Sequence, residues 1–240
     1  MHEAATYRDN NCFITLTYSD ETLPVNNSLA HEHFQQFAKR MRWHTKAELR
    51  YYMCGEYGET TQRPHYHAAI FNYNFRDRVP IGKSASGHLT YDSKELRNYW
   101  QKGNVTVQDL TPGTAAYVAG YILKKQLGAT ASYDLVTEDG EVLERDPEYS
   151  AMSKGVGKAW YSTYRADFHT HDYAIMKGKK LPVPKYYDRL LKARNAEQLE
   201  QLKQARKAIA AQHQAEQTPD RLAVRETVTK ARYRNKERSI

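Results

Sequence analysis

The chain has 240 residues, enough for one ordinary domain with an appendage or for two small domains. Its 36 Lys and Arg outnumber its 28 Asp and Glu, and the resulting net charge of +8 favours a polyanionic partner over an acidic protein. Two cysteines, Cys12 and Cys54, exclude a disulfide framework or a four-cysteine zinc site and fit a reducing compartment, and no apolar run approaches the ~18 residues of a membrane span. The N-terminal MHEAATYRDN lacks the basic-then-apolar order of a secretory signal, so the expectation is a soluble protein that is not secreted.

Residues 12–19, CFITLTYS, alternate Phe13, Thr15 and Thr17 with Ile14, Leu16 and Tyr18, which predicts a strand with one buried face. Ser28 is placed to cap a helix starting near Leu29, with Phe34, Phe37, Ala38 and Met41 at helical spacing. LRYYMCGEY returns to strand character, and PHYHAAIFNY adds a further strand across the turn GETTQRP. Residues 74–92, with Pro80, Gly82, Ser84 and Gly87, read as a loop. A short helix over 93–100, a strand in NVTVQDL and a helix from about Thr114 to Leu127 follow. This order predicts the α+β class, a central antiparallel sheet with flanking helices packed on one face.

YDLVTEDGEVLERDPE predicts a peripheral hairpin around Asp139 and Gly140. Beyond Pro182 and Pro184 the chain turns to Ala, Gln, Glu, Lys and Arg, with Leu191, Leu199, Leu202 and Ile209 at helical spacing. From Lys185 onward there are fourteen basic and seven acidic residues, so a surplus of seven sits in the last 56 positions. The expected organisation is a domain over 1–184 and a basic helical appendage over 185–240. The appendage's composition permits DNA binding, dimerisation or recruitment of a host replication helicase.

In RPHYHAAIF, strand alternation puts His65 and His67 on one face and Tyr66 and Ala68 on the other. Taken alone, such a pair suits the wet face of a half-buried strand. If 49–57 pairs with 63–73 as a hairpin, Glu56 falls near His65 and can complete a site for a divalent ion, with Glu59 as the alternative carboxylate. Two imidazoles and a carboxylate leave coordination positions open, which suits Lewis-acid chemistry on a phosphoryl oxygen. In AAYVAGYILKK, Tyr117, Tyr121 and Lys124 share one helical face opposite Ala115, Val118, Ala119 and Ile122. A phenol beside a cation can attack a metal-polarised phosphodiester, and a lysine on the same face can stabilise the developing charge.

These motifs resemble the HUH-type replication initiators of small single-stranded DNA phages, in particular the gokushovirus branch of the microviruses. FITLTYSDETLP resembles the first motif of that family, CGEYGETTQRPHYHAAIF its metal-binding motif and YVAGYILKK its tyrosine motif. YSAMSKGVGKAWY and LPVPKYYDRLL are similar to its downstream segments. The resemblance implies an HUH endonuclease fold and cleavage of single-stranded DNA at a replication origin in the host bacterial cytoplasm. It further implies Mg²⁺ or Mn²⁺ held by His65, His67 and Glu56, tyrosine nucleophiles at Tyr117 and Tyr121, and a supporting Lys124. In the family the tyrosine becomes linked to the 5′ phosphate, and the free 3′ hydroxyl primes rolling-circle synthesis. Members of that branch carry a cysteine-bearing segment ahead of a position resembling MHEA, where this chain begins; either the segment is absent or the start lies at an internal methionine. Two other readings fit some of the same residues: a relaxase or single-strand transposase with an HUH site, and a nucleic-acid-binding module without catalysis.

Overall fold

The computed structural model describes residues 1–58, 60–84, 87–124, 133–137, 139–176 and 178–237, without the side chains of residues 117, 121–124, 176 and 233–237. The chain forms two compact units, Met1–Gly157 and Lys158–Ile240.

The first unit opens with α1 (His2–Tyr7) and β1 (Asn11–Thr17), followed by α2 (His31–Thr45), β2 (Arg50–Tyr57) and β3 (Pro64–Phe71). Then come β4 (Val79–Lys83), β5 (Leu89–Asp92), α3 (Lys94–Trp100), β6 (Val105–Asp109) and α4 (Pro112–Lys124). A small hairpin, β7 (Leu135–Val136) and β8 (Val142–Leu143), precedes β9 (Tyr149–Met152). The large sheet has seven strands in the order β4-β5-β6-β1-β3-β2-β9, each antiparallel to its neighbours. The α+β class and the antiparallel sheet are therefore as the sequence predicts.

Alternation on β1 divides the core in two. Cys12, Ile14 and Leu16 face α2, where Phe34, Phe37 and Met41 are fully buried against them together with Trp100 of α3. Each such side chain contributes roughly 1.5–3 kcal/mol through burial. Phe13 lies on the opposite face and packs with Cys54 of β2 and Val118 of α4. Helices thus cover both faces, not one as expected. The apolar stripe of α4 required a sheet to pack on, but nothing in its spacing chose the face.

Three further expectations are corrected. Residues 74–92 are not a plain loop, since β4 and β5 extend the sheet edge through them. Ser28 does not cap α2, which starts at His31 after Ala30; Ser28 Oγ instead accepts a hydrogen bond from the Asp146 N–H at 2.9 Å. Ala119 is exposed, so only part of the predicted apolar stripe of α4 is buried.

Tyr66, between the two histidines, fixes the register of β3 from the α2 side. Its hydroxyl donates to the Ala30 carbonyl and accepts from the Ala30 N–H, both at 2.9 Å, and it contacts the Tyr18 hydroxyl at 2.9 Å. A one-residue slip would turn this buried tyrosine outward and both histidines inward.

The second unit contains α5 (Lys158–His171), the hairpin β10 (Tyr173–Met176) and β11 (Lys179–Pro182), and the helices α6 (Lys185–Arg194), α7 (Ala196–Gln212) and α8 (Pro219–Glu237). Tyr161, Phe168, Ala174, Val183 and Tyr187 form its core, so residues on both sides of position 184 pack together. No helix among the described residues is long and apolar enough to cross a membrane.

Candidate metal centre

Strand pairing brings the three predicted ligands together. Glu56 on β2 lies opposite His65 on β3, while His67 lies opposite Cys54 of β2 and Thr15 of β1. Glu56 Oε1 is 2.7 Å from His65 Nε2 and 2.9 Å from His67 Nε2. One ligand atom from each residue lies within 4.8 Å of the others. Glu59, the alternative carboxylate, lies outside the described residues.

The surroundings hold both rings in place. His65 Nδ1 is 3.1 Å from the Arg63 carbonyl, which only accepts, so Nδ1 carries the hydrogen. His67 Nδ1 is 2.9 Å from Thr15 Oγ1, and its ring stacks on Phe13 at a centroid distance of 5.6 Å. Both Nε2 atoms therefore turn toward Glu56. Metal-binding histidines are commonly oriented in this way through their second nitrogen. Arg63 is itself tied to Asp20 at 2.6 Å and to the Tyr18 carbonyl at 3.0 Å, which fixes the entry to β3.

This is not the wet face of a strand. Glu56 is 4% exposed and His67 8% exposed. Burial pushes the Glu56 carboxyl up, but the hydrogen bonds and charges of His65 and His67 outweigh it and hold the group below its ordinary value. Burial likewise pushes His65 down, and the Glu56 carboxylate reverses that and raises it. For His67 burial prevails and the ring is held below its usual value. Positive charge at this spot is thus favoured on the Glu56–His65 pair.

The residues fit a divalent cation. Glu56 Oε2 is buried without a hydrogen-bond partner among the described residues, an arrangement costly for a carboxylate unless something positive meets it. Two imidazoles and a carboxylate are borderline ligands suited to such an ion, with positions left for substrate. Beside the histidines opens a groove of about 730 Å³, whose walls include Thr17, Arg63 and Asn104.

The comparisons with known proteins agree with this picture. A model of the replication-associated protein ORF2 family matches residues 11–126, from the first residue of β1 to just beyond α4. Over 215 residues the chain is 33% identical to the replication-associated protein ORF2 of Spiroplasma virus 4, covering 83% of this chain and 64% of that protein. The chain belongs to this family of phage replication-associated proteins. Other members are similar: VP4 of Bdellovibrio phage phiMH2K is 31% identical, with 78% of this chain and 59% of that protein covered. ORF4 of Chlamydia phage 1 is 27% identical, with 79% and 48% covered. The chain thus spans between about half and two thirds of the length of these family members. No solved structure matches it significantly.

The family match includes the helix that carries the predicted tyrosines. The backbone of α4 lies over the sheet face of the Glu56, His65 and His67 cluster, anchored by Val118 on Phe13 and Cys54. The side chains of Tyr117, Tyr121 and Lys124 lie outside the described residues. Sequence reasoning missed Thr15, Phe13 and Arg63 as supports of the cluster. Alternation already put Thr15 and Phe13 on one face, but only the register of β1 with β3 shows that this is the face of His67.

Proposed function

We propose that this chain is a replication initiator that nicks single-stranded DNA at a phage origin and later rejoins the ends. The observation that carries the reading is the Glu56, His65 and His67 cluster beneath the tyrosine-bearing helix of a replication-associated protein. In this reading the endonuclease domain covers residues 1–184 and the basic appendage 185–240, and the protein works in the cytoplasm of the host bacterium. That division is one of function and charge, and the packing unit Lys158–Ile240 straddles it.

Glu56, His65 and His67 hold a magnesium or manganese ion, with Thr15 and the Arg63 carbonyl orienting the rings. When bound, such an ion supplies Lewis-acid polarisation of a phosphodiester oxygen. The hydroxyl oxygen of Tyr117 or Tyr121 bonds to phosphorus as the bond from phosphorus to the 3′ oxygen breaks. The phenolic proton leaves to solvent, and the departing 3′ oxygen takes up a proton to become the primer hydroxyl. Lys124 steadies the phosphoryl charge. Two tyrosines allow one to keep the old 5′ end while the other cuts the regenerated origin.

The test is incubation of the chain with single-stranded origin DNA and manganese. The expected result is cleavage together with a covalent protein–DNA adduct that disappears when Tyr117 and Tyr121 are both changed to Phe. Binding of the DNA without cleavage or adduct would favour the non-catalytic module instead, and an adduct surviving in the double variant would move the nucleophile elsewhere.

A further inference from the structure

The outward face of α2 carries a feature that neither the core nor the metal centre uses. Trp43 is 71% exposed, a large indole in water on a helix whose other aromatic residues are buried. Lys39 precedes it by four residues and Lys46 follows it by three, so at ~3.6 residues per turn the three fall on one stripe within about 60°. Lys46 Nζ stands 4.0 Å from the centroid of the indole. The segment from Lys39 to Lys46 has four Lys and Arg and no carboxylate. Its arginines turn to the backbone: Arg40 donates to the Tyr99 carbonyl at 2.7 Å and Arg42 to the Leu49 carbonyl at 3.3 Å. Beside the stripe, His44 stacks on Tyr99 at a centroid distance of 5.6 Å. Cations near a helix C-terminus are expected from the helix dipole. That accounts for the lysines and leaves the exposed indole between them unexplained.

We propose that Lys39, Trp43 and Lys46 form a platform for single-stranded nucleic acid, on which a base stacks against the indole while neighbouring phosphates meet the lysines. An aromatic face flanked by cations is the arrangement that holds such strands without reading their sequence. Charge complementarity selects a polyanion, because an apolar protein surface would have to cover both ammonium groups. The platform lies on the side of the sheet covered by α2, whereas Glu56, His65 and His67 lie on the other. It therefore holds the strand away from the bond to be cut. The choice of DNA as the strand rests on the initiator reading; the stacking itself does not.

The probe is an oligodeoxythymidylate titrated into the full chain, followed by tryptophan fluorescence and by anisotropy at several salt concentrations. The wild type is expected to show quenching, Trp43→Leu to lose most of it, and its affinity to fall roughly tenfold. Lys39→Ala with Lys46→Ala should flatten the salt dependence by about two ionic contacts. Undiminished affinity and quenching in Trp43→Leu would overturn the proposal. So would sedimentation showing self-association that Trp43→Leu abolishes while DNA binding stays intact, since the indole would then serve a second copy of the chain. A wild type that never cleaves origin DNA but shows Trp43-dependent quenching would sink the initiator reading and leave the platform standing.

Discussion

Glu56 is the residue that ties the two strands of the candidate centre together, because one of its oxygens meets both imidazoles while the other is buried without a partner among the described residues. A cation that binds only the folded chain stabilises it by about 2.7 kcal/mol at a hundredfold excess over its dissociation constant. Manganese is therefore expected to raise the melting temperature of the wild type by several degrees, and His65→Ala with His67→Ala to erase the rise. The ligands must be unprotonated to bind, and the Glu56 carboxylate raises the proton affinity of His65, so manganese affinity should weaken as the pH falls. Calorimetry across that range checks the sign. Thr15 offers a finer probe. Thr15→Val keeps the shape but removes the partner of His67 Nδ1, and manganese binding should weaken about 10–100-fold while Thr15→Ser retains it.

At the scale of elements, β6 reaches the centre of the sheet through a turn that only glycine accommodates. Gly103 has φ +146°, and a Cβ there would collide with the backbone of Thr17 and Ser19. The neighbouring Ser19 N–H and Thr17 N–H donate to the carbonyls of Lys102 and Asn104 at 2.8 and 2.9 Å. Gly103→Ala is expected to cost roughly 1–3 kcal/mol from backbone strain, read from urea unfolding. Much of this architecture was legible in the sequence. Phe13 against Ile14 gave the two faces of β1, Phe34 to Met41 gave the buried stripe of α2, and His65 with His67 gave one face of β3. The edges were not legible: β4 has every residue exposed and holds Pro80 and Gly82, so it shows no alternation, and β9 is only four residues long. Nor was Thr15 legible as the partner of His67, because register between strands 52 positions apart is a property of the fold.

Across the whole molecule, the second unit is organised around a polar knot as well as an apolar core. Arg206 of α7 bonds Asp172 at 2.6 Å, just after α5, and Asp188 of α6 at 2.7 Å. These groups are partly exposed, so Arg206→Ala is expected to cost on the order of 1 kcal/mol rather than the larger penalty of a buried pair. Hydrogen exchange should rise over α6 and α7. The surplus of seven positive charges beyond residue 184 belongs to the same unit, and the described residues of α8 from 219 to 232 are exposed throughout. The order of the first unit also has a meaning in time. The cluster draws on β2 and β3 with Thr15 from β1, so its last residue is His67, whereas α4 begins at Pro112. Ribosomes add about 5–20 residues per second, so the tyrosine-bearing helix is made seconds after the last of the three candidate ligands. A growing chain can thus assemble a cation-binding pocket before it has anything with which to cut, and its reactive helix joins a site that is already standing.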